Sequence, residues 1–257
     1  MTKRTAKMAI ERLCGDYVKF AKNSDIRADD SNIYYHNLLI AQTDKEAYGN
    51  RLLVSLQNFK TEPKLRKAKQ DVVKAAIEAG YEIIFVPELD LGFGVDEAHN
   101  VSVGNLEKLL VEVAKYSEED IKTAAVAYME NEDGTRKILG LAFNQKDTYE
   151  YDNSVIHAEQ ILCNYIQDRQ LYGDEKLRFY SLLEPCEKCL RRMIANQACE
   201  IYYFVNHKAK WDTPEYYQLC NDIWNKSILQ NYYETPIKYT KLFRVYVDKF
   251  MNKEKVK

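Results

Sequence analysis

The residues best suited to chemistry lie in one stretch of the chain, between positions 157 and 189. A histidine, His157, is followed two residues later by a carboxylate, Glu159, and the stretch ends in a Cys-x-x-Cys pair, Cys186 and Cys189. One histidine and two cysteines are the ligand count of a catalytic zinc, which keeps its fourth position open for water. A carboxylate two residues after the histidine can lie beside that water without binding the metal. The stretch therefore predicts an open metal site with an acid–base group next to it.

Two helix starts must bring these side chains together. The spacing of apolar residues predicts helices over 158–171 and 186–196, with a strand over 177–183 between them. Residues 160–184 are enough for this helix and the returning strand, so the first turns of both helices can meet at one point. Unpaired N–H groups and the positive end of the helix dipole stabilise thiolates there, and the thiolate is the form of cysteine that binds metals.

The elements around this stretch predict an α/β fold with helices packed on a mixed sheet. The other predicted strands lie at 123–129, 137–143 and 200–205, and the other predicted helices at 214–228 and 240–251. The first two strands are joined by a segment ending in Asp133-Gly134, which is typical of a hairpin. We expect these elements to form one domain over residues 119–257.

The first 118 residues predict a separate, mainly helical domain or extension. Helical spacing is found at 3–22, 51–59, 63–79 and 106–116, with a short buried strand at 82–86. No motif in residues 1–118 indicates a function.

The composition of the 257-residue chain is that of a globular protein, with 46% hydrophobic and 30% charged residues. The net charge is −2, so a nucleic-acid partner would have to be held by local basic patches. No apolar run is long enough for a signal peptide or a transmembrane helix, so we expect a cytoplasmic protein with no membrane partner. Six cysteines in a chain of this size favour metal or catalytic roles over a disulfide framework.

The His-Ala-Glu run at 157–159 and the Pro-Cys-Glu-Lys-Cys run at 185–189 resemble the signature of the zinc nucleobase-deaminase superfamily. The resemblance covers roughly residues 120–250 and implies a cytidine-deaminase-like α/β/α sandwich. It implies a Zn²⁺ ion held by His157, Cys186 and Cys189, with Glu159 carrying a proton from the activated water to the base and then to the departing ammonia. A histidine in first position is similar to the branch that contains tRNA adenosine deaminases, deoxycytidylate deaminases and the AID/APOBEC enzymes.

Three further residues are expected to bind the substrate of such an enzyme. Asn144 follows the second predicted strand, where an asparagine of this branch contacts the sugar; a turn residue at the end of a strand is the alternative. The backbone N–H of Ala158 is expected to bind the base. Trp211, next to lysines in the loop after the 200–205 strand, could stack on a flanking base or could pack in the core.

Three functions remain open at this point. The favoured one is conversion of cytosine to uracil in a nucleotide or a single-stranded nucleic acid. The second is conversion of adenosine to inosine in an RNA such as tRNA. The third is a binding module that keeps zinc without deaminating anything, and the intact Glu159 counts against it. A zinc that only joins helices would need a fourth protein ligand, and the other histidines and cysteines lie at no ligand-like spacing. The possibility of a homo-oligomer also stays open.

Overall fold

The structure is a computed structural model, and it divides the chain into two compact units. It describes residues 2–16, 18–20, 24–47, 49–56, 63–87, 89, 109–110, 112–119, 123–130, 136–146, 155–171 and 176–205. Unit 1 comprises Met1–Glu97 and Gln145–Val155, and unit 2 comprises Ala98–Asn144 and Ile156–Lys257. The two units therefore alternate along the chain, whereas the sequence predicted a single boundary after residue 118.

In its described residues, unit 1 contains five consecutive β-strands and two helices. Its elements are α1 (Thr2–Leu13), β1 (Ile26–Ala28), β2 (Asn32–Tyr35), β3 (Leu38–Thr43), β4 (Arg51–Ser55), α2 (Pro63–Glu78) and β5 (Glu82–Val86), and the strands follow one another in the order β1-β2-β3-β4-β5. The first four strands pair antiparallel, and β5 pairs parallel to β4. The connecting helix α2 starts at a proline, which has no N–H to leave unpaired, and its apolar side chains are buried.

Two predictions for this unit are wrong. The run at 51–59 was predicted as a helix, but 51–55 form β4, and all five of these residues are buried. A short apolar run does not distinguish a buried strand from a helix by its periodicity, because neither face of a buried strand is polar. With five strands described, the N-terminal region is a mixed α/β structure and not a mainly helical one.

The first helix is also shorter than predicted. The sequence predicted helix over 3–22, and the structure ends α1 at Leu13. Gly15 follows in the left-handed conformation, with a φ of 92°. Its N–H donates to Arg12 O and the N–H of Asp16 donates to Glu11 O, which is the hydrogen-bond pattern of a Schellman motif. The glycine therefore terminates the helix.

Unit 2 has the predicted α/β organisation. Its main elements are β6 (Ala124–Glu130), β7 (Arg136–Phe143), α3 (Ala158–Asp168), β10 (Lys176–Leu183), α4 (Glu187–Ala195) and β11 (Glu200–Val205). Two short strands lie between β7 and α3 in the chain: β8 (Gln145–Lys146) belongs to unit 1, and β9 (Val155–Ile156) spans the boundary between the units. Its strands follow one another in the order β7-β6-β10-β11. The first three pair antiparallel and β11 pairs parallel to β10, which confirms the mixed sheet.

Several predicted elements are only partly described or lie outside the described residues. Helical residues are found at 109–110 and 112–114, within the helix predicted over 106–116. The turn at 131–135 and the helices predicted over 214–228 and 240–251 lie outside the described residues. Within the described parts of the chain, no helix is both long and apolar enough to cross a membrane. The five described cysteines are free thiols.

Candidate metal centre and active site

The predicted metal ligands lie at the starts of α3 and α4. His157 is the residue directly before α3 and Cys186 the residue directly before α4, and both have extended backbone conformations. The Sγ of Cys186 accepts the N–H of Cys189 at 3.4 Å, so this side chain caps its own helix. Cys189 follows in the first turn and is buried. Two helix starts therefore present the three side chains, as the sequence predicted.

The donor atoms of these residues are spaced as zinc requires. His157 Nδ1 lies 3.6 Å from Cys186 Sγ and 3.4 Å from Cys189 Sγ. All three donor atoms lie within 4.8 Å of one another. Zn–S bonds of about 2.3 Å and Zn–N bonds of about 2.0–2.1 Å in a tetrahedron place neighbouring ligand atoms about 3.6 Å apart. The donor set therefore fits a zinc ion with three protein ligands.

No fourth protein ligand joins this group among the described residues. Among the described residues, the side chains that could hold a metal ion together here are His157, Cys186 and Cys189 alone. Cys163, Cys199 and His36 are described and do not belong to it. The closed, four-ligand zinc of a purely structural site is therefore not formed by these described residues, and the set matches the three-ligand arrangement of catalytic zinc.

The three donor side chains perturb one another's pKa. A hydrogen bond from the Cys189 thiol lowers the pKa of Cys186 to about 4, and the hydrogen bond from His157 acts in the same direction. The same hydrogen bond, together with burial, raises the pKa of Cys189, while the hydrogen bond to Cys186 raises that of His157. The pKa values of the two thiols therefore shift in opposite directions. A divalent cation reverses the direction for Cys189, because a coordinating thiol is deprotonated outright.

Glu159 lies in the first turn of α3 and is buried, with 4% of its surface exposed. Its Oε1 accepts a hydrogen bond of 2.6 Å from the hydroxyl of Ser181 on β10. Burial raises the pKa of Glu159, and the Ser181 hydrogen bond opposes that rise. The carboxyl group stands outside the set of metal ligands. It is therefore a buried acid that is close to these donors along the chain but separate from their group.

The two residues predicted to contact the substrate, Asn144 and Ala158, are hydrogen-bonded to each other. The N–H of Ala158 donates to Asn144 Oδ1 at 3.0 Å. Asn144 is also fixed through its backbone, because its N–H donates to Thr123 O and its carbonyl accepts the hydroxyl of Ser117. The residue after β7 is thus tied to the residue between His157 and Glu159. Trp211, the third predicted contact, lies outside the described residues.

Sequence reasoning missed Ser181, although a signal was present. The burial of β10 alternates, and Leu177, Phe179 and Ser181 share its buried face. A serine in a register that otherwise holds apolar side chains needs a hydrogen-bond partner, because an unpaired buried hydroxyl is costly. The pattern could have indicated a polar partner, but it could not have identified Glu159.

No protein-family model and no curated protein matches the chain. Among solved structures, it is similar to the dCMP deaminase of the cyanophage S-TIM5 in apo form, at 16% identity over 46% of this chain and 94% of that one, with a TM-score of 0.31. The same enzyme in complex with dCMP and dUMP gives 18% identity, 44% and 88% coverage, and a TM-score of 0.33. Guanine deaminase from Bacillus subtilis is 16% identical over 61% of this chain and 96% of that one, with a TM-score of 0.31.

Proposed function

We propose that this protein is a zinc-dependent hydrolytic deaminase of a nucleobase. The proposed zinc ligands are His157, Cys186 and Cys189, and the proposed catalytic residue is Glu159. We further propose cytosine as the base, in a nucleotide or in a single-stranded nucleic acid. The resemblance of the two motifs to the His-first deaminase branch supports a nucleobase substrate, and because that branch also contains tRNA adenosine deaminases, adenosine in RNA is the alternative.

One observation carries the proposal: a buried carboxylate beside three metal-type donors that is not one of them. Glu159 is held by Ser181 at 2.6 Å and lies two residues from His157 in the chain. Burying an acid costs free energy that pairing and hydrogen bonds only partly offset, and buried acids with perturbed pKa values cluster at functional sites. A zinc that only joined the two helices would leave this carboxyl without a task, and so would a binding module. Hydrolysis gives it one.

Glu159 would move the protons of the reaction. When bound, zinc supplies Lewis-acid activation of water. The Glu159 carboxylate takes a proton from the attacking water and delivers it to the ring nitrogen. The water oxygen adds to the carbon that bears the exocyclic amine. Glu159 would then take the remaining proton from the added hydroxyl and pass it to that amine. The carbon–nitrogen bond then breaks, and ammonia leaves with a carbonyl in its place.

Asn144 and Ala158 would orient the substrate. Their mutual hydrogen bond uses the N–H of Ala158 and the Oδ1 of Asn144, but not the Nδ2 group of Asn144. The Ala158 N–H is engaged with Asn144 Oδ1, so a base could use it only if that hydrogen bond opened. The Nδ2 group of Asn144 is then the part of the pair that would face a sugar oxygen. We also propose that Trp211 stacks on a flanking base.

The first test is turnover by Glu159→Gln. The amide keeps the shape of the side chain and can still accept from Ser181, but it cannot carry the proton. We expect zinc content to stay at one per chain while ammonia release falls by about 10²–10⁴-fold, the usual contribution of a general acid–base group. Substrates are dCMP, cytidine, single-stranded DNA and tRNA, with the products identified by mass.

Glu187→Gln is the matched control. Glu187 is also a carboxylate in a helix first turn near the ligands, but it is ion-paired with Arg191 at the surface. This variant should keep wild-type turnover. Full turnover by Glu159→Gln would refute the mechanism.

The salt dependence of turnover distinguishes a nucleic-acid substrate from a mononucleotide, because binding through many phosphates weakens steeply as the salt concentration rises.

A further inference from the structure

The shortest hydrogen bond to the proposed catalytic residue comes from the sheet. Ser181 is completely buried, and its hydroxyl donates to Glu159 Oε1 at 2.6 Å. An ionised carboxylate can only accept hydrogen bonds, so the serine must be the donor when Glu159 is ready to receive a proton. Hydrogen bonds from a hydroxyl to a carboxylate are short and roughly twice as strong as those between neutral groups.

The backbone of Ser181 is held firmly in place. It lies in β10, which has a paired strand on each side. Ser181 is in register with Ala125 on β6 and with Tyr203 on β11. Its side chain shares the buried face with Phe179, where close packing restricts movement. The hydroxyl is therefore a fixed point in the sheet.

Glu159, in contrast, is attached to a helix start. It is the second residue of α3, and a glutamate side chain has three rotatable bonds before its carboxyl group. One hydrogen bond from a fixed donor restricts these rotations and holds one carboxylate oxygen. The second oxygen, Oε2, is then restricted to one orientation relative to the sheet.

We propose that Ser181 is a positioning residue, which anchors Glu159 Oε1 to the sheet so that Oε2 exchanges protons with the substrate. This inference rests on the proposed function of Glu159 and specifies how that residue is oriented. No bond to Ser181 forms or breaks during turnover. The serine contributes geometry, and a displacement of the reacting group by about 1 Å can cost 10²-fold in rate.

The test is Ser181→Ala with Ser181→Thr as rescue. Removing the hydroxyl should lower kcat by about 10- to 100-fold and leave KM within about twofold, because orientation and not substrate binding is lost. Threonine restores the hydroxyl and should recover most of the kcat. Zinc content should stay at one per chain in both variants. Ser55→Ala, which also truncates a buried strand serine, serves as the control in unit 1 and should keep wild-type kcat.

An infrared measurement separates this inference from the proposed function. The carboxylate stretching bands of Glu159, identified by their loss in Glu159→Gln, should shift in Ser181→Ala and return in Ser181→Thr. Wild-type kcat in Ser181→Ala, or a kcat loss that only follows zinc loss, overturns the positioning role. If the wild-type protein deaminates no base, the proposed function fails. In that case the infrared bands still test whether Ser181 holds Glu159, and bands that do not shift in Ser181→Ala refute the positioning role.

Discussion

The two units each contain a strand–helix–strand connection between parallel strands, and the two connections serve different ends. In unit 1, β4 leads through α2 to β5, and in unit 2, β10 leads through α4 to β11. In unit 1 the buried Lys69 of α2 donates to the carbonyl of Ser55, the last residue of β4, at 2.6 Å. In unit 2 the residue directly before the corresponding helix is Cys186, whose sulfur lies 3.6 Å from His157 Nδ1.

The difference shows that topology provides a location and the residues provide the chemistry. Open α/β sheets place their ligand sites beyond the carboxyl ends of parallel strands. Lys69 reaches back to the backbone of unit 1, whereas the donors of unit 2 face one another at metal-ligand distances. The same connection can therefore stabilise a fold or hold an ion, and function has to be argued from the site.

Removal of a metal ligand should produce the largest effect. Cys189→Ala deletes a buried thiol from the first turn of α4. With two ligands left, we expect zinc to be lost on dialysis and turnover to disappear with it, as measured by metal analysis and ammonia release. Cys163→Ala removes another buried thiol, from α3, that is not in the ligand group, and it should keep one zinc per chain. Equal zinc content in both variants would contradict the assignment.

The buried lysine of unit 1 should produce a smaller effect, on stability. Burial lowers the pKa of Lys69 from 10.5 to about 8. Between these two values the unfolded chain binds a proton that the folded chain has released, so the free energy of unfolding rises with pH in that window. Relative to Lys69→Met, the wild type should gain up to about 3 kcal/mol between pH 8 and pH 10.5, measured by urea denaturation.

Lys64→Met provides the comparison for that measurement. Lys64 is exposed on the same helix, so its replacement should leave the slope against pH unchanged. A Lys69→Met protein with the wild-type pH dependence would show that Lys69 keeps an ordinary proton affinity and that its burial is inconsequential.

The sequence predicted unit 2 far better than unit 1, for physical reasons. His157, Glu159 and the two cysteines are chemically distinctive, and their spacing is set by two helix starts and one strand. The strand β4 has no such signature, because a short apolar run fits a buried strand and a helix equally well. Ser181 depends on a contact across 22 positions of the chain, which no local pattern encodes.

Helix ends sharpen the comparison at the smallest scale. The helices of unit 1 are followed by Gly15 and Gly80 at positive φ, while those of unit 2 are followed by Gln170 and Gln197 at φ values of 50° and 63°. The hydrogen bonds after α4 follow the same Schellman pattern as those after α1, since Gln197 N–H donates to Ile194 O and Ala198 N–H to Met193 O. A side chain in this left-handed conformation costs free energy that glycine avoids.

Replacing one of these glutamines should therefore stabilise the protein. We expect Gln197→Gly to raise the free energy of unfolding by about 0.5–1 kcal/mol, as read from urea midpoints at constant slope. Gly15→Ala should have the opposite sign and a similar size. Apart from Gly15 and its two chain neighbours, no atom of the described residues lies within 4 Å of the added methyl group, so its cost comes from the backbone conformation. If Gln197→Gly destabilised the protein, the side chain of Gln197 would have to stabilise the fold by more than its left-handed backbone costs. The helix ends of the two units would then be stabilised by different interactions.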